Sequence, residues 1–301
     1  MKLTVLGSSS ATPTLDRYPS CQILTVEGGM YMIDCGEGSQ FRMNQYGIKK
    51  NKINAIFISH LHGDHYYGLI GLLTSMSMHE RTEKLTIVAP QGLQEIIEVQ
   101  CRHSSTIIRF EIEYIVFDDK KSEYIYEDKE VKVSTIPLLH KITTCGFLFE
   151  KKYPERSFIK EKIANLDLSN QALKDLRQGK NAEDASGVLI LSSEVTAINT
   201  KSKRFAYCSD NMYHESFIDL VHQVDLLYHE ATFLEEDIDR ALFTKHSTAR
   251  QAGLVAKQAQ VKQLLIGHYS ARYHDIEVLL EETKTVFDKA LLAIEGHTYE
   301  I

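Results

Sequence analysis

Cysteine is scarce in this chain of 301 residues, which has five of them. They are Cys21, Cys35, Cys101, Cys145 and Cys208, scattered, with no Cys-x-x-Cys. A disulfide framework needs pairs, and sulfur-ligated zinc needs close spacing, so the pattern argues against both. Free thiols in a reducing, cytoplasmic setting are the expectation. Long apolar runs are also missing: none approaches the ~20 residues of a membrane span. The opening Met1–Gly7 is too short for a signal peptide and reads as a first strand. No fixed-period repeat and no Pro/Gly/Ser linker is present. Nor is there an excess of positive charge, since the net charge is −7. Phosphate contacts need cations, so this total argues mildly against nucleic acid unless the cations are concentrated.

What remains is an ordinary globular composition, 43% apolar and 25% charged. The length fits one large domain or two small ones. Strand signals dominate, among them Leu3–Leu6, Gln22–Val26, Tyr31–Ile33, Ala55–Ser59, Val131–Leu138, Val188–Leu191, Arg204–Cys208, Leu226–His229 and Gln263–Ile266. Helix-like segments interleave with them, including Ser39–Gln45, Tyr66–Met78, Gln91–His103, Met212–Val221, Thr248–Gln258 and Asp275–Phe287. Strands covered by helices predict layered sheets with outer helices.

The densest chemistry lies in Ser59-His60-Leu61-His62-Gly63-Asp64-His65, directly after the apolar run Ala55–Ile58. Imidazole and carboxylate are ligands that zinc takes readily. Four of them in six residues exceed what one tetrahedral ion can accept from so short a loop. The spacing asks for two metals side by side, with further ligands from elsewhere. His140, Asp210 and His268 each follow a strand, where side chains of neighbouring strands converge on one rim. The count becomes seven, which suits two ions sharing one bridging carboxylate. Manganese, iron or cobalt also suit such donors, with zinc the first choice. His79, His103, His214, His222, His274 and His297 lack ligand-like company and read as surface or packing residues.

With these residues the chain resembles the metallo-β-lactamase superfamily and, within it, the ribonuclease Z family of tRNA 3′-processing endonucleases. The superfamily signature corresponds to His60-x-His62-x-Asp64-His65, His140, Asp210 and His268. His229-Glu230-Ala231-Thr232 looks like the family's HEAT motif, and His246-Ser247-Thr248 like its HST motif. Gly7–Thr14, Asp34–Gly38 and Ser270–Tyr273 are also similar. His229-Glu230 is not a metalloprotease helix, because Phe233 stands where the second histidine would be.

The resemblance implies an αββα sandwich of two mixed sheets with outer helices, an α+β metallo-β-lactamase fold. It implies that one zinc takes His60, His62 and His140, that the other takes Asp64, His65 and His268, and that Asp210 bridges. Asp64 is implied as general base, His246 as general acid, and Glu230 as the carboxylate that orients His246. Arg272, Ser247 and Thr248 are implied to contact substrate. Ser247 and Thr248 could equally be helix caps, and Arg272 could equally sit in a surface ion pair. The expected activity is endonucleolytic removal of 3′ trailers from precursor tRNA by a homodimer. A small-molecule phosphodiesterase of the same superfamily is the alternative, and a non-catalytic RNA-binding scaffold a third reading.

One segment breaks the rhythm. Lys151–Lys180 has few apolar residues and no clear strand; its eight cations against four anions give a net charge of +4. We expect a single domain over 1–301 with a basic arm at 151–185 inserted in it. The arm either touches phosphates or is a solvated connecting helix, Asn170–Gln178 capped by Ser169. The ribonuclease Z resemblance is weakest here. Many bacterial members carry a Gly/Pro-rich arm, and this segment has one Gly, Gly179, and one Pro, Pro154.

Overall fold

The computed structural model describes residues 1–152, 156–198 and 202–301. It divides into two compact units, a main unit of Met1–Phe149 with Arg204–Ile301 and a small unit of Glu150–Lys203.

The main unit is built on two seven-stranded sheets, both mixed. In the first, Lys2–Gly7, Cys21–Val26 and Gly29–Ile33 run antiparallel, and Ala55–Phe57, Leu85–Ala89 and Ile112–Val116 add on in parallel. Thr298–Glu300 closes the other edge against Lys2–Thr4. The second sheet carries a parallel run of Arg204–Cys208, Leu226–Glu230, Leu264–Gly267 and Ala290–Leu292. Val131–Pro137 in the same sheet pairs antiparallel with Tyr124–Glu127.

Three apolar clusters give the layers. Leu3, Val5, Leu24, Phe57, Phe147, Phe149, Phe205 and Leu265 meet between the sheets. Leu69, Leu72, Leu73, Met76, Leu93 and Ile97 come from helices Leu69–Met78 and Leu93–Ser104, which cover the first sheet. Ala249, Ala252, Val255, Ala256 and Leu279 come from helices Ala249–Gln258 and Glu277–Lys284, over the second. Strands buried on both faces need nearly continuous apolar sequence, as in Leu85–Ala89 and Leu264–Gly267, where every residue is buried. The arrangement is the αββα sandwich expected from the sequence.

Three local expectations change. Tyr66–Met78 is two helices, Gly63–Tyr66 and Leu69–Met78, because the Gly68 N–H donates to the Cys35 carbonyl instead of continuing a helix. Met212–Val221 is helical only over the 3-10 turn Ile218–Val221. The Met212 N–H donates to the Leu139 carbonyl, and the Asn211 side chain accepts from the Leu139 N–H, so the start of that segment is tied to another loop. Two edge strands, Tyr124–Glu127 and Thr298–Glu300, have no counterpart in the expected strands.

The small unit has its own core, in which Leu176, Ile190 and Val195 pack with Phe158, Ile163, Leu166 and Leu168. Helix Asn170–Arg177 starts at Ser169, whose side chain accepts from the Ala172 N–H, as expected. Against expectation the basic segment contains a strand: Arg156–Phe158 pairs with Thr196–Ile198. The expected strand Val188–Leu191 is shorter, Leu189–Ile190, and pairs with Ala182–Glu183. Pro154 and Glu155 of the basic segment lie outside the described residues. Among the described residues, no helix is long and apolar enough to cross a membrane.

Candidate metal centre

Parallel strands send their C-terminal ends to the same edge of a sheet, where ligand sites gather. His60, His62, Asp64 and His65 follow Ala55–Phe57, Asp210 follows Arg204–Cys208, and His268 follows Leu264–Gly267. His140 follows Val131–Pro137. The structure brings all seven together: His60, His62, His140 and Asp210 form one group, Asp64, His65 and His268 a second, and His246 joins Asp210 and His268 in a third.

In the first group His62 Nδ1 lies 3.0 Å from His60 Nε2 and 3.3 Å from His140 Nε2. Asp210 Oδ2 lies 3.5 Å from His60 Nε2 and 3.7 Å from His140 Nε2. In the second group His65 Nε2 and His268 Nε2 are 3.3 Å apart, and Asp64 Oδ2 is 3.4 and 3.5 Å from them. Asp210 Oδ1 is 3.1 Å from both of these imidazoles. A tetrahedral ion with bonds of 2.0–2.1 Å has edges of about 3.3 Å. The donor atoms are spaced at about that edge, and Asp210 turns one oxygen to each group. The residues fit two divalent ions.

Hydrogen bonds behind the donors fix which ring nitrogen faces inward. His65 Nδ1 donates to Asp34 Oδ2 at 2.7 Å, and His140 Nδ1 to the Lys245 carbonyl at 2.8 Å. His60 Nδ1 lies 3.0 Å from Ser59 Oγ, and His268 Nδ1 3.0 Å from Thr232 Oγ1. Those hydroxyls donate onward, Ser59 to Asp34 and Thr232 to Glu230. Each of these four histidines thus presents Nε2 to the centre.

Asp34 is the hub of this support. It also accepts from the Ser59 N–H at 2.8 Å and the Tyr207 hydroxyl at 2.7 Å. Asp34 and His268 both hold left-handed backbone, φ 55 and φ 58. That conformation is uncommon outside glycine and clusters at functional sites. Gly36 permits a close crossing, since a Cβ there would lie 2.4 Å from the Asp64 carbonyl oxygen.

Burial and charge compete across the cluster. Burial disfavours the imidazolium of His65, but the carboxylates of Asp210, Asp64 and Asp34 overcome it and hold its pKa well above the usual histidine range. Burial dominates at His60, which is pushed down to about 4. Burial would raise the Asp64 carboxyl, yet His65 and His268 hold it well below the ordinary range.

Asp64, His62, His140, Asp210 and His246 line a cleft of about 550 Å³. His246 Nδ1 donates to Glu230, 3.0 Å from Oε1, and the His246 ring stacks on His268 at 5.5 Å. Glu230 is fully buried and also accepts from the Asn211 N–H. Burial disfavours the charged form of His246, but Glu230 outweighs it and lifts the pKa to about 9. The pair therefore stands beside the seven donors with a ring edge open to the cleft.

The residues expected to contact substrate sit differently. Ser247 and Thr248 are fully buried. The Ser247 hydroxyl donates to the Asn211 carbonyl, and Thr248 caps helix Ala249–Gln258 in a capping box with Gln251. Arg272 pairs with Asp237 at 2.7 Å and lies over the Phe233 ring. Asp34, Thr232 and Ser59 stand in segments the sequence marks, but no role was assigned to them there, and Tyr207 was not singled out. A carboxylate ending a buried strand before a glycine, as in Asp34-Cys35-Gly36, is the signal for Asp34; Thr232 and Ser59 are marked only by the motifs they belong to, and Tyr207 carries no signal.

This fold and its paired donor groups define a metallo-β-lactamase-fold protein, and the family model described as Anti-Pycsar protein Apyc1 matches residues 1–287. The chain belongs to that family and to the ribonuclease Z family, being 42% identical over 301 residues to "Ribonuclease Z" of Cytophaga hutchinsonii, which covers 100% of this chain and 96% of the relative. The "Ribonuclease Z" of Parabacteroides distasonis is 39% identical over 298 residues, with 98% and 97% covered. Among solved structures, human tRNase Z, short form, superposes with a TM-score of 0.72 at 25% identity, covering 100% of this chain and 99% of that one. The metallo-β-lactamase fold protein YhfI of Bacillus subtilis, with a TM-score of 0.70, 19% identity and coverage of 100% and 98%, shares the fold.

Proposed function

We propose that this protein is a zinc-dependent endoribonuclease that removes 3′ trailers from precursor tRNA, leaving a tRNA 3′-OH and a trailer 5′-phosphate. The observation that carries the reading is the His246–Glu230 pair beside the seven clustered His and Asp residues, with His246 on the cleft, within a ribonuclease Z relative. His60, His62 and His140 would hold one zinc, Asp64, His65 and His268 the other, with Asp210 shared. When bound, two such ions supply electrostatic stabilisation of the phosphoryl oxygens and a water of lowered pKa, and manganese could serve in their place.

The chain's own groups do the rest. Asp64, held by the Ala11 N–H at 2.7 Å, accepts a proton from the attacking water and aims it at phosphorus. As the new P–O bond forms, the P–O3′ bond breaks. His246 delivers its proton to the departing ribose 3′-oxygen, and Glu230 holds the ring in the tautomer that can do so. Ser247 and Thr248 act by fixing the turn that carries His246. Arg272 would exchange Asp237 for a substrate phosphate.

We assign the basic segment 151–185 as an arm inserted in a single domain over 1–301, contacting RNA backbone by shape and charge. A homodimer in the cytoplasm completes the reading; five free cysteines support a reducing compartment. A small-molecule phosphodiesterase is the second reading, favoured by the net charge of −7.

The test is cleavage of a 3′-extended precursor tRNA by zinc-loaded protein beside Asp64→Ala, mapped to the nucleotide. One cut at the end of the acceptor stem, lost in the variant, is expected. No cut, with hydrolysis of a simple aryl phosphodiester, would overturn the reading in favour of the second.

A further inference from the structure

Phe243 is 79% exposed, an unusual position for a phenylalanine beside a catalytic cleft. It sits near the end of helix Ile238–Thr244, three residues before His246. The Lys141 ammonium lies over its ring, 5.3 Å from the centroid. Lys141, Thr244, His140 and His246 all line the cleft. The two segments are tied together: His140 Nδ1 donates to the Lys245 carbonyl at 2.8 Å, and Lys245 Nζ donates to the His140 carbonyl at 3.2 Å. Lys245 itself is in left-handed backbone, φ 57, so the chain turns sharply between the exposed ring and His246. The rim thus offers a flat apolar face and a cation next to the group assigned as acid.

That placement selects one nucleotide. His246 protonates the 3′-oxygen of the last nucleotide of the tRNA body, so the ribose of that nucleotide lies against His246. Its base extends outward from the ribose, and its own 5′-phosphate carries the neighbouring charge. We propose that Phe243 and Lys141 form the binding site for this nucleotide, with Phe243 stacking on the base and Lys141 pairing with its 5′-phosphate. Stacking tolerates every base, because each has a π-face, and Lys141 strengthens the aromatic face while supplying the counter-charge. The inference rests on the precursor-tRNA reading and adds to it a residue pair that recognises the nucleotide retained by the product.

The test uses full-length, zinc-loaded protein and two precursors that differ only in whether the last body nucleotide carries its base. Phe243→Ala should raise KM on the intact precursor about 5- to 150-fold, with kcat far less affected, since stacking is worth ~1–3 kcal/mol per base. Phe243→Tyr should restore it. On the precursor lacking that base, wild type should show the same loss and Phe243→Ala no further loss. Lys141→Met should weaken binding of the 3′-OH product tRNA and flatten its salt dependence by about one phosphate contact. An equal loss for Phe243→Ala on both precursors, no loss on the intact one, or a loss traced to a change of oligomeric state would overturn the proposal while leaving the nuclease reading standing. If wild type cuts neither precursor, both fall together.

Discussion

The Nδ1 of His65 lies 2.7 Å from Oδ2 of Asp34, and neither residue is exposed to solvent. Asp34 meets no substrate, yet it fixes the tautomer that aims His65 Nε2 at the centre, and through Ser59 it steadies His60 as well. Outer partners of this kind commonly set affinity by 10–100-fold. Asp34→Ala should therefore weaken metal binding by about that factor, read by competition with a chelator of known affinity. Tyr207 and Ser59 lose their acceptor in the same variant, so its melting temperature should fall even with metal bound.

His246→Ala should keep fold and metal content while losing about 10²–10⁴-fold in turnover, the usual worth of a positioned acid. Circular dichroism, metal analysis and precursor cleavage on one preparation check the three parts. A variant that cuts at the wild-type rate would remove His246 from the chemistry.

The two donor groups predict different losses. His62 belongs to one group, so His62→Ala should reduce bound zinc from about two ions per chain to about one. Asp210 turns an oxygen to each group, so Asp210→Ala should disturb both and leave less than one. Mass-spectrometric metal counts under native conditions separate the two. Removing metal with a chelator should abolish cleavage and lower the melting temperature, because ions that bind the folded state stabilise it.

Thr248 caps helix Ala249–Gln258 and also donates to Glu235 Oε2 at 2.6 Å. Thr248→Ala should cost about 1 kcal/mol or somewhat more in denaturant unfolding. Thr248→Ser should recover most of it. If stability is untouched while KM for precursor rises, Thr248 contacts substrate after all.

Reactivity of the thiols follows from burial, because the thiolate is the reactive form. Burial pushes Cys21 up to about 12 and raises Cys35, Cys145 and Cys208 well above the ordinary range. Cys101 is only half-buried. At pH 8 a thiol reagent should modify Cys101 first and the other four only on unfolding, which peptide mapping by mass spectrometry will show. The order holds until pH rises toward the buried thiols' values.

The clustering of the seven His and Asp residues was legible because their types are costly to bury without a purpose, and each stood just past an apolar run. The layered fold was legible for the same reason of patterning: the short apolar run expected as strand Gln263–Ile266 is the buried strand Leu264–Gly267. The supporting shell was not. Thr232, Ser59 and Tyr207 are common residue types whose roles depend on partners far along the chain, as with Tyr207 and Asp34. The helix expected at Met212–Val221 failed for a related reason: its pattern was apolar and periodic, but its first backbone groups were claimed by the loop before His140. Ser247 and Thr248 show the converse, a local capping signal that the structure keeps, with both hydroxyls buried in hydrogen bonds.

The spread of the donors along the chain also sets when the centre can exist. His60 to His65 leave the ribosome first, and His268 follows 203 residues later by its number in the sequence. At ~5–20 residues per second that is a delay of about 10–40 s. Throughout this interval the full set of seven side chains does not exist. Asp210 arrives before His268, so the group containing His60, His62 and His140 has all its donors synthesised while its neighbour still lacks one. Synthesis thus completes one group of side chains before the other.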